Sequence, residues 1–100
     1  MKMKVYLDDE RKVPIGWTLA KTATNAICLL LNFQVTDISL DHDLGIDETG
    51  YDVLEWIEKM VYLENYIPPK IHIHTANPSA RVKMELAKKS IERKIDKWNE

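Results

Sequence analysis

The chain has 100 residues, of which 45% are hydrophobic and 30% charged, with a formal net charge of −2. This length and balance predict one globular domain over residues 1–100, with a small core and modest stability. The charge argues against a protein held on nucleic acid by bulk electrostatics, and no run of about 18 apolar residues offers a membrane span.

The opening MKMKVYLDDE carries no long apolar segment of the signal-peptide kind. Met3 to Leu7 is short, apolar and rich in strand formers, and it stops at Asp8. Lys12 to Gly16 contains Pro14 and Gly16 and predicts a loop. Trp17 to Lys21 predicts a short strand, at the sheet edge or irregular, because the connection before it is tight for a parallel crossover. A helix follows from an N-cap at Thr22 or Thr24 to about Phe33, with Ala23, Ala26, Ile27, Leu30 and Leu31 on one face. Cys28, the single cysteine, lies in this apolar pattern. It is expected as a core thiol in a reducing compartment, the cytoplasm by default.

Val35 to Leu40 is the next expected strand and ends at Asp41. Gly45 to Gly50 reads as a polar loop. A helix from about Tyr51 to Tyr62 would bury Val53, Leu54, Ile57, Met60 and Val61. Pro68 and Pro69 break the chain before a strand from Lys70 to His74. The last helix starts near Pro78 or Ser79, with Met84, Ala87, Ile91, Ile95 and Trp98 on its apolar face. Strands alternating with helices predict a parallel α/β sheet with helices on its faces.

Each main strand run stops at a polar cluster: Asp8-Asp9-Glu10-Arg11, Asp41-His42-Asp43 and His74-Thr75-Ala76-Asn77. In a parallel sheet the C-terminal strand ends share one edge, and open α/β sheets bind ligands there. Three carboxylates gathered at one edge repel, and a hard divalent ion such as Mg²⁺ offsets that repulsion with a few carboxylates, waters and phosphate oxygens. His42 and His74 are suited to proton transfer near neutral pH. Thr75 and Asn77 can donate to a phosphoryl oxygen or cap the last helix. Trp17 can stack on a base or pack at the rim. Asp8, Asp9 and Asp41 can equally be turn or loop-capping residues, and His72, earlier on its strand, reads as structural.

The placement of Asp8-Asp9, Asp41 and Thr75 resembles the response-regulator receiver domain. That resemblance implies a small three-layer, receiver-like (flavodoxin-like) fold, here with a truncated parallel sheet of about four strands and helices on both faces. It implies Asp8, Asp9 and Asp41 as the metal set and Thr75 as a phosphoryl contact. The chain departs from receivers in lacking a fifth strand ending in lysine; Lys70 is at the wrong end of its strand to replace it, and Arg11 to Gly16 stands where the first receiver helix would be. A closer resemblance is to the cyclic-phosphate-processing receiver-like family. It is carried by LDDER (Leu7–Arg11), Pro14, Trp17, SLDHDLG (Ser39–Gly45), TGYD (Thr49–Asp52) and HTANP (His74–Pro78), across roughly the first eighty residues.

This resemblance implies a metal-assisted phosphoesterase acting on nucleotide or RNA 2′,3′-cyclic phosphate ends. Mg²⁺ or Mn²⁺ would sit on Asp8, Asp9 and Asp41. Asp41, His42 and His74 would be the catalytic set, and Arg11, Thr75 and Asn77 would hold the phosphate, with Glu10, Asp43 and Trp17 as further candidates. The expected partner is a nucleotide or RNA-end phosphate, with no membrane. The alternatives are a Mg²⁺-binding regulatory module of receiver type, in which Asp41 accepts a phosphoryl group, and an interaction protein whose acids are merely solvated.

Overall fold

The computed structural model describes residues 2–99. Its elements are β1 (Lys2–Leu7), β2 (Thr18–Ala20), α1 (Ala23–Asn32), β3 (Gln34–Leu40), α2 (Gly50–Glu64), β4 (Lys70–Ile73) and α3 (Pro78–Trp98). The strands form one parallel sheet in the order β2-β1-β3-β4. The strand expected over Trp17 to Lys21 is short and lies at the edge. Its connection from β1 carries no helix.

Strand alternation sorts the side chains. Val5, Leu7, Ile38, Leu40 and Ile71 are buried together with Ala26, Leu54, Ile57, Met84 and Ile91 from the helices, and this is the core. Lys2, Lys4, Tyr6, Asp37, Ser39 and His72 alternate with them and point to the other face. That face carries no helix among the described residues. The expected helices on both faces, and with them the third layer, are corrected to one helical layer: α1, α2 and α3 lie side by side, α2 packing on both neighbours. Handedness is the reason. The crossovers β2-α1-β3 and β3-α2-β4 run the same way across the sheet, and right-handed connections then put their helices on the same side. Only the β1–β2 crossover runs the opposite way, and it is the loop through Arg11 to Gly16.

Caps fix the helix starts. Thr22 caps α1 by accepting from the Asn25 amide, and Glu48 accepts from the amide and hydroxyl of Thr24 at 2.8 and 2.9 Å. Thr49 and Asp52 form a capping box on α2, which begins at Gly50 and runs past the expected Tyr62. Asn77 caps α3. No helix among the described residues is long and apolar enough to cross a membrane.

The expected apolar face of α1 is too broad. Only Ala23, Ala26 and Leu30 are buried; Ile27 and Leu29 flank them, while Leu31 and Cys28 are exposed. Cys28 is not a core thiol, because a ten-residue helix at the sheet margin buries one narrow stripe. Trp98 is exposed too, since the last turn of the 21-residue α3 adds no buried residue beyond Ile91. Conversely Leu44, within SLDHDLG, is buried just before the expected loop.

Gly50 is the tightest point. A Cβ there would overlap the backbone carbonyl of Asp41, whose neighbour His42 accepts from the Gly50 amide at 3.1 Å. Gly50→Ala should lower unfolding free energy by about 1–3 kcal/mol through overpacking, measured by urea denaturation; an unchanged midpoint would show that this helix start is free to move.

Candidate metal and phosphate site

The sheet register builds the site. Leu7, Leu40 and Ile73 are paired neighbours across β1, β3 and β4. The residues that follow, Asp8, Asp41 and His74, form the next rung, and its backbone bonds continue the ladder: Asp41 N donates to Leu7 O and His74 N to Leu40 O, both at 3.0 Å. Asp8 N donates to Ala20 O at 3.0 Å, tying in β2. The gap between β1 and β3, where the connections diverge, is where a fold of this strand order binds ligands.

Ligand atoms of Asp8, Asp41 and His74 all lie within 4.8 Å of one another. Asp8 is 1% exposed. Its Oδ1 accepts from the amides of Glu10 and Arg11 at 2.9 and 2.8 Å, so it both nucleates the loop and anchors the site. Its Oδ2 meets His74 Nε2 at 3.0 Å. Burial pushes the Asp8 carboxyl up, but the two amides and His74 outweigh it and hold it below its ordinary value. The His74 ring lies across the small Ser39, stacked on Tyr6 at 4.3 Å, with Nδ1 2.7 Å from Ser39 Oγ. Burial pushes His74 down against the opposing pull of Asp8. Near neutral pH the ring is thus uncharged, Nε2–H donates to Asp8, and the Ser39 hydroxyl donates to Nδ1. A hydroxyl can also accept, so Ser39 can support the other tautomer, which leaves Nε2 free as a ligand.

A cleft of about 330 Å³ opens here, lined by the carboxylates of Asp8, Asp9, Glu10, Asp41 and Asp43, by Arg11, and by Gly45 and Ala76. Arg11 is half-exposed. Its Nη1 donates to His74 O at 2.8 Å, and its Nε is 3.8 Å from Asp8 Oδ2. A larger groove of about 560 Å³ beside Tyr62 and Ser90 gathers no comparable ligand set among the described residues.

The other expected site residues divide. Asp9, Glu10 and Asp43 line the cleft, but Asp9 stands outside the close cluster, whose third member is His74. His42 is held by Asp43: its Nδ1 is 2.8 Å from Asp43 Oδ1, and its Nε2 is buried without a hydrogen-bond partner among the described residues. Asp43 also accepts from Asn77 Nδ2 at 3.3 Å, while Asn77 Oδ1 caps α3 through the Ala80 amide. The Thr75 hydroxyl is buried and accepts from the Asn77 amide at 3.1 Å. Thr75 and Asn77 therefore brace the rim through the cap. Trp17 lies off the cleft, against Tyr6 and His72. Ser39 and Tyr6 join the site beyond the expected residues; strand alternation is the sequence signal for both, since it sets them on the face toward which the His74 ring leans.

The donor set fits a divalent ion. Two carboxylates with waters and phosphate oxygens suit Mg²⁺, and an imidazole nitrogen as third ligand suits Mn²⁺ better. Because the folded-state pKa of His74 lies below its ordinary 6.5, the unfolded chain binds the proton more readily. Stability is then constant above that window and falls as pH drops through it. In chelator, calorimetry from about pH 7.5 to about pH 5.5 should show a falling melting temperature, and His74→Gln should flatten part of that slope; an identical slope in the variant would remove His74 as its source.

The family model described as the cyclic-phosphate processing receiver domain matches residues 3–90. Neither the curated proteins nor the solved structures yield a significant match. The matched span holds the whole sheet, the Asp8–Asp41–His74 rung and most of α3, and the chain belongs to the cyclic-phosphate processing receiver domain family.

Proposed function

We propose that the protein is a metal-assisted phosphoesterase that opens 2′,3′-cyclic phosphates of nucleotides or RNA ends. The observation that carries this reading is the Asp8–Asp41–His74 cluster in an acidic cleft with Arg11 at its rim. A cleft so rich in carboxylate repels a phosphate unless a cation intervenes, and the family's description, cyclic-phosphate processing, supports a phosphate substrate. Asp8 and Asp41 would hold Mg²⁺ or Mn²⁺. Such an ion neutralises charge developing on the phosphoryl oxygens.

The chain's own residues supply the rest. Arg11 keeps N–H donors beyond the one spent on His74 O, and we assign them to a non-bridging oxygen. In ring opening, water adds to phosphorus, one ring P–O bond breaks, and the departing ribose oxygen takes a proton. We assign that proton to the imidazolium form of His74, whose Nε2–H Asp8 orients and favours and which returns to the neutral ring as the ribose oxygen leaves. Asp9, in the cleft but outside the cluster, is assigned to take the proton of the incoming water. His42 holds Asp43 and does not act on the substrate in this scheme.

The test is hydrolysis of 2′,3′-cyclic AMP by purified protein in Mg²⁺ and in Mn²⁺. His74→Ala should lower the rate by about 10²–10⁴-fold. Metal at a hundredfold excess over its Kd should stabilise the wild type by about 2.7 kcal/mol, and Asp41→Asn should abolish that gain. A protein inert in both metals overturns the enzyme reading. A phosphoryl mass gain at Asp41 from acetyl phosphate would replace it with a regulatory module of receiver type.

A further inference from the structure

All-parallel sheets occur almost only with both faces covered, so the helix-free face of this one calls for an explanation. Its side chains form rows set by the register. Lys4, Asp37 and Lys70 make one row, and Leu19, Tyr6, Ser39 and His72 make the next. Asp8, Asp41 and His74 follow at the edge. Rows two residues apart are separated by about 6.6 Å, so the lysine row lies about 13 Å from the cleft rung. His74 belongs to both regions: its ring stacks on Tyr6, and its Nε2 reaches Asp8.

The face is not built to receive a helix, which would need an apolar stripe. Lys2, Lys4 and Lys70 are exposed on it, and the one aspartate of these two rows, Asp37, is 3.0 Å from His72 Nε2. This is a local cationic surface on a chain whose formal charge is −2. Trp17 lies across it, 6.1 Å from Tyr6 and 6.0 Å from His72, with its plane 76° and 79° from theirs. Lys4 Nζ stands 5.5 Å from the indole ring. Trp17 is only half-buried, so part of the indole remains open to a ligand. A second copy of the chain docked face to face would bring the same lysines to the interface, since a twofold contact uses one patch twice. Aromatic surface interleaved with cations is instead the chemistry that holds single-stranded nucleic acid, by base stacking and phosphate neutralisation.

We propose that this helix-free face is a track for single-stranded RNA leading into the cleft, so that the substrate is the end of an oligonucleotide and not a free nucleotide. The choice of RNA rests on the phosphoesterase reading, because a 2′,3′-cyclic phosphate requires a 2′-hydroxyl. Trp17 stacks a base near the terminal nucleotide, and Lys2, Lys4 and Lys70 meet the phosphates behind it.

The experiment is fluorescence anisotropy with a labelled RNA of about eight nucleotides ending in a 3′-hydroxyl, in chelator, so that neither metal nor turnover is required. Wild type should bind saturably, with log K falling against log salt at a slope of about −2 for three lysines. Trp17→Ala should weaken binding at least about fivefold. The double variant Lys4→Glu/Lys70→Glu tests the track independently should Trp17→Ala fold poorly; it should weaken binding further and flatten the slope. Lys59→Glu, on α2, should bind as wild type does. Absence of saturable binding, or equal binding by wild type and the lysine variant, overturns the proposal. So does self-association that the lysine variant abolishes, which would assign the face to a second copy. Retained RNA binding without hydrolysis of cyclic ends overturns the enzyme reading alone; hydrolysis of 2′,3′-cyclic AMP without RNA binding overturns the track alone.

Discussion

Everything at the candidate site depends on one rung of parallel pairing. Because Leu7, Leu40 and Ile73 stand in register, the next residue of each strand meets the other two. Asp8 and His74, 66 positions apart in sequence, thus come within 3.0 Å. A slip of one residue in any of these strands would send its side chain to the opposite face and take the site apart. The apolar side chains beneath the rung enforce that register: Leu7 and Leu40 are fully buried. Core and site are therefore held by the same constraint.

The rung is also where charge must be balanced. Asp8 is buried as completely as the leucine before it, and a buried carboxylate persists only when hydrogen-bonded or paired. Two loop amides, the His74 ring and the nearby Arg11 guanidinium meet that need. Their arrangement keeps a ligand atom of Asp8 within 4.8 Å of those of Asp41 and His74. The same economy governs the rim, where Asp43 joins His42 to Asn77 and Asn77 caps α3. Residues that read as candidates for touching a phosphate thus hold the walls of the cleft.

The missing helical layer changes what the sheet can do. In a sheet covered on both faces, strands read as nearly continuous apolar runs. Here β1 alternates Lys2, Lys4 and Tyr6 with Met3, Val5 and Leu7, so the sequence is adapted to one open face. Trp17, delivered by the connection that carries no helix, lies across that face and supplies much of its aromatic surface. The shortness of that connection and the openness of the face are one fact seen from two sides.

The order of strands and helices, the acid clusters at the strand ends and most of the buried stripes are legible in the sequence, because these follow from local periodicity and from residue type. The sequence also carried the family resemblance in LDDER, SLDHDLG and HTANP, and with it the expectation of Asp8, Asp9 and Asp41 as a metal set beside His42 and His74. Packing between distant segments settled the rest: His74 joins the close cluster while Asp9 stays outside it, Ser39 and Tyr6 hold the His74 ring, His42 pairs with Asp43, and Cys28 faces solvent. It also decided that one sheet face stays bare. Periodicity reports that a residue has an inside and an outside. Which partner meets it, and on which side of the sheet each helix lies, depends on register and crossover handedness, and those are set by contacts between segments far apart in the chain.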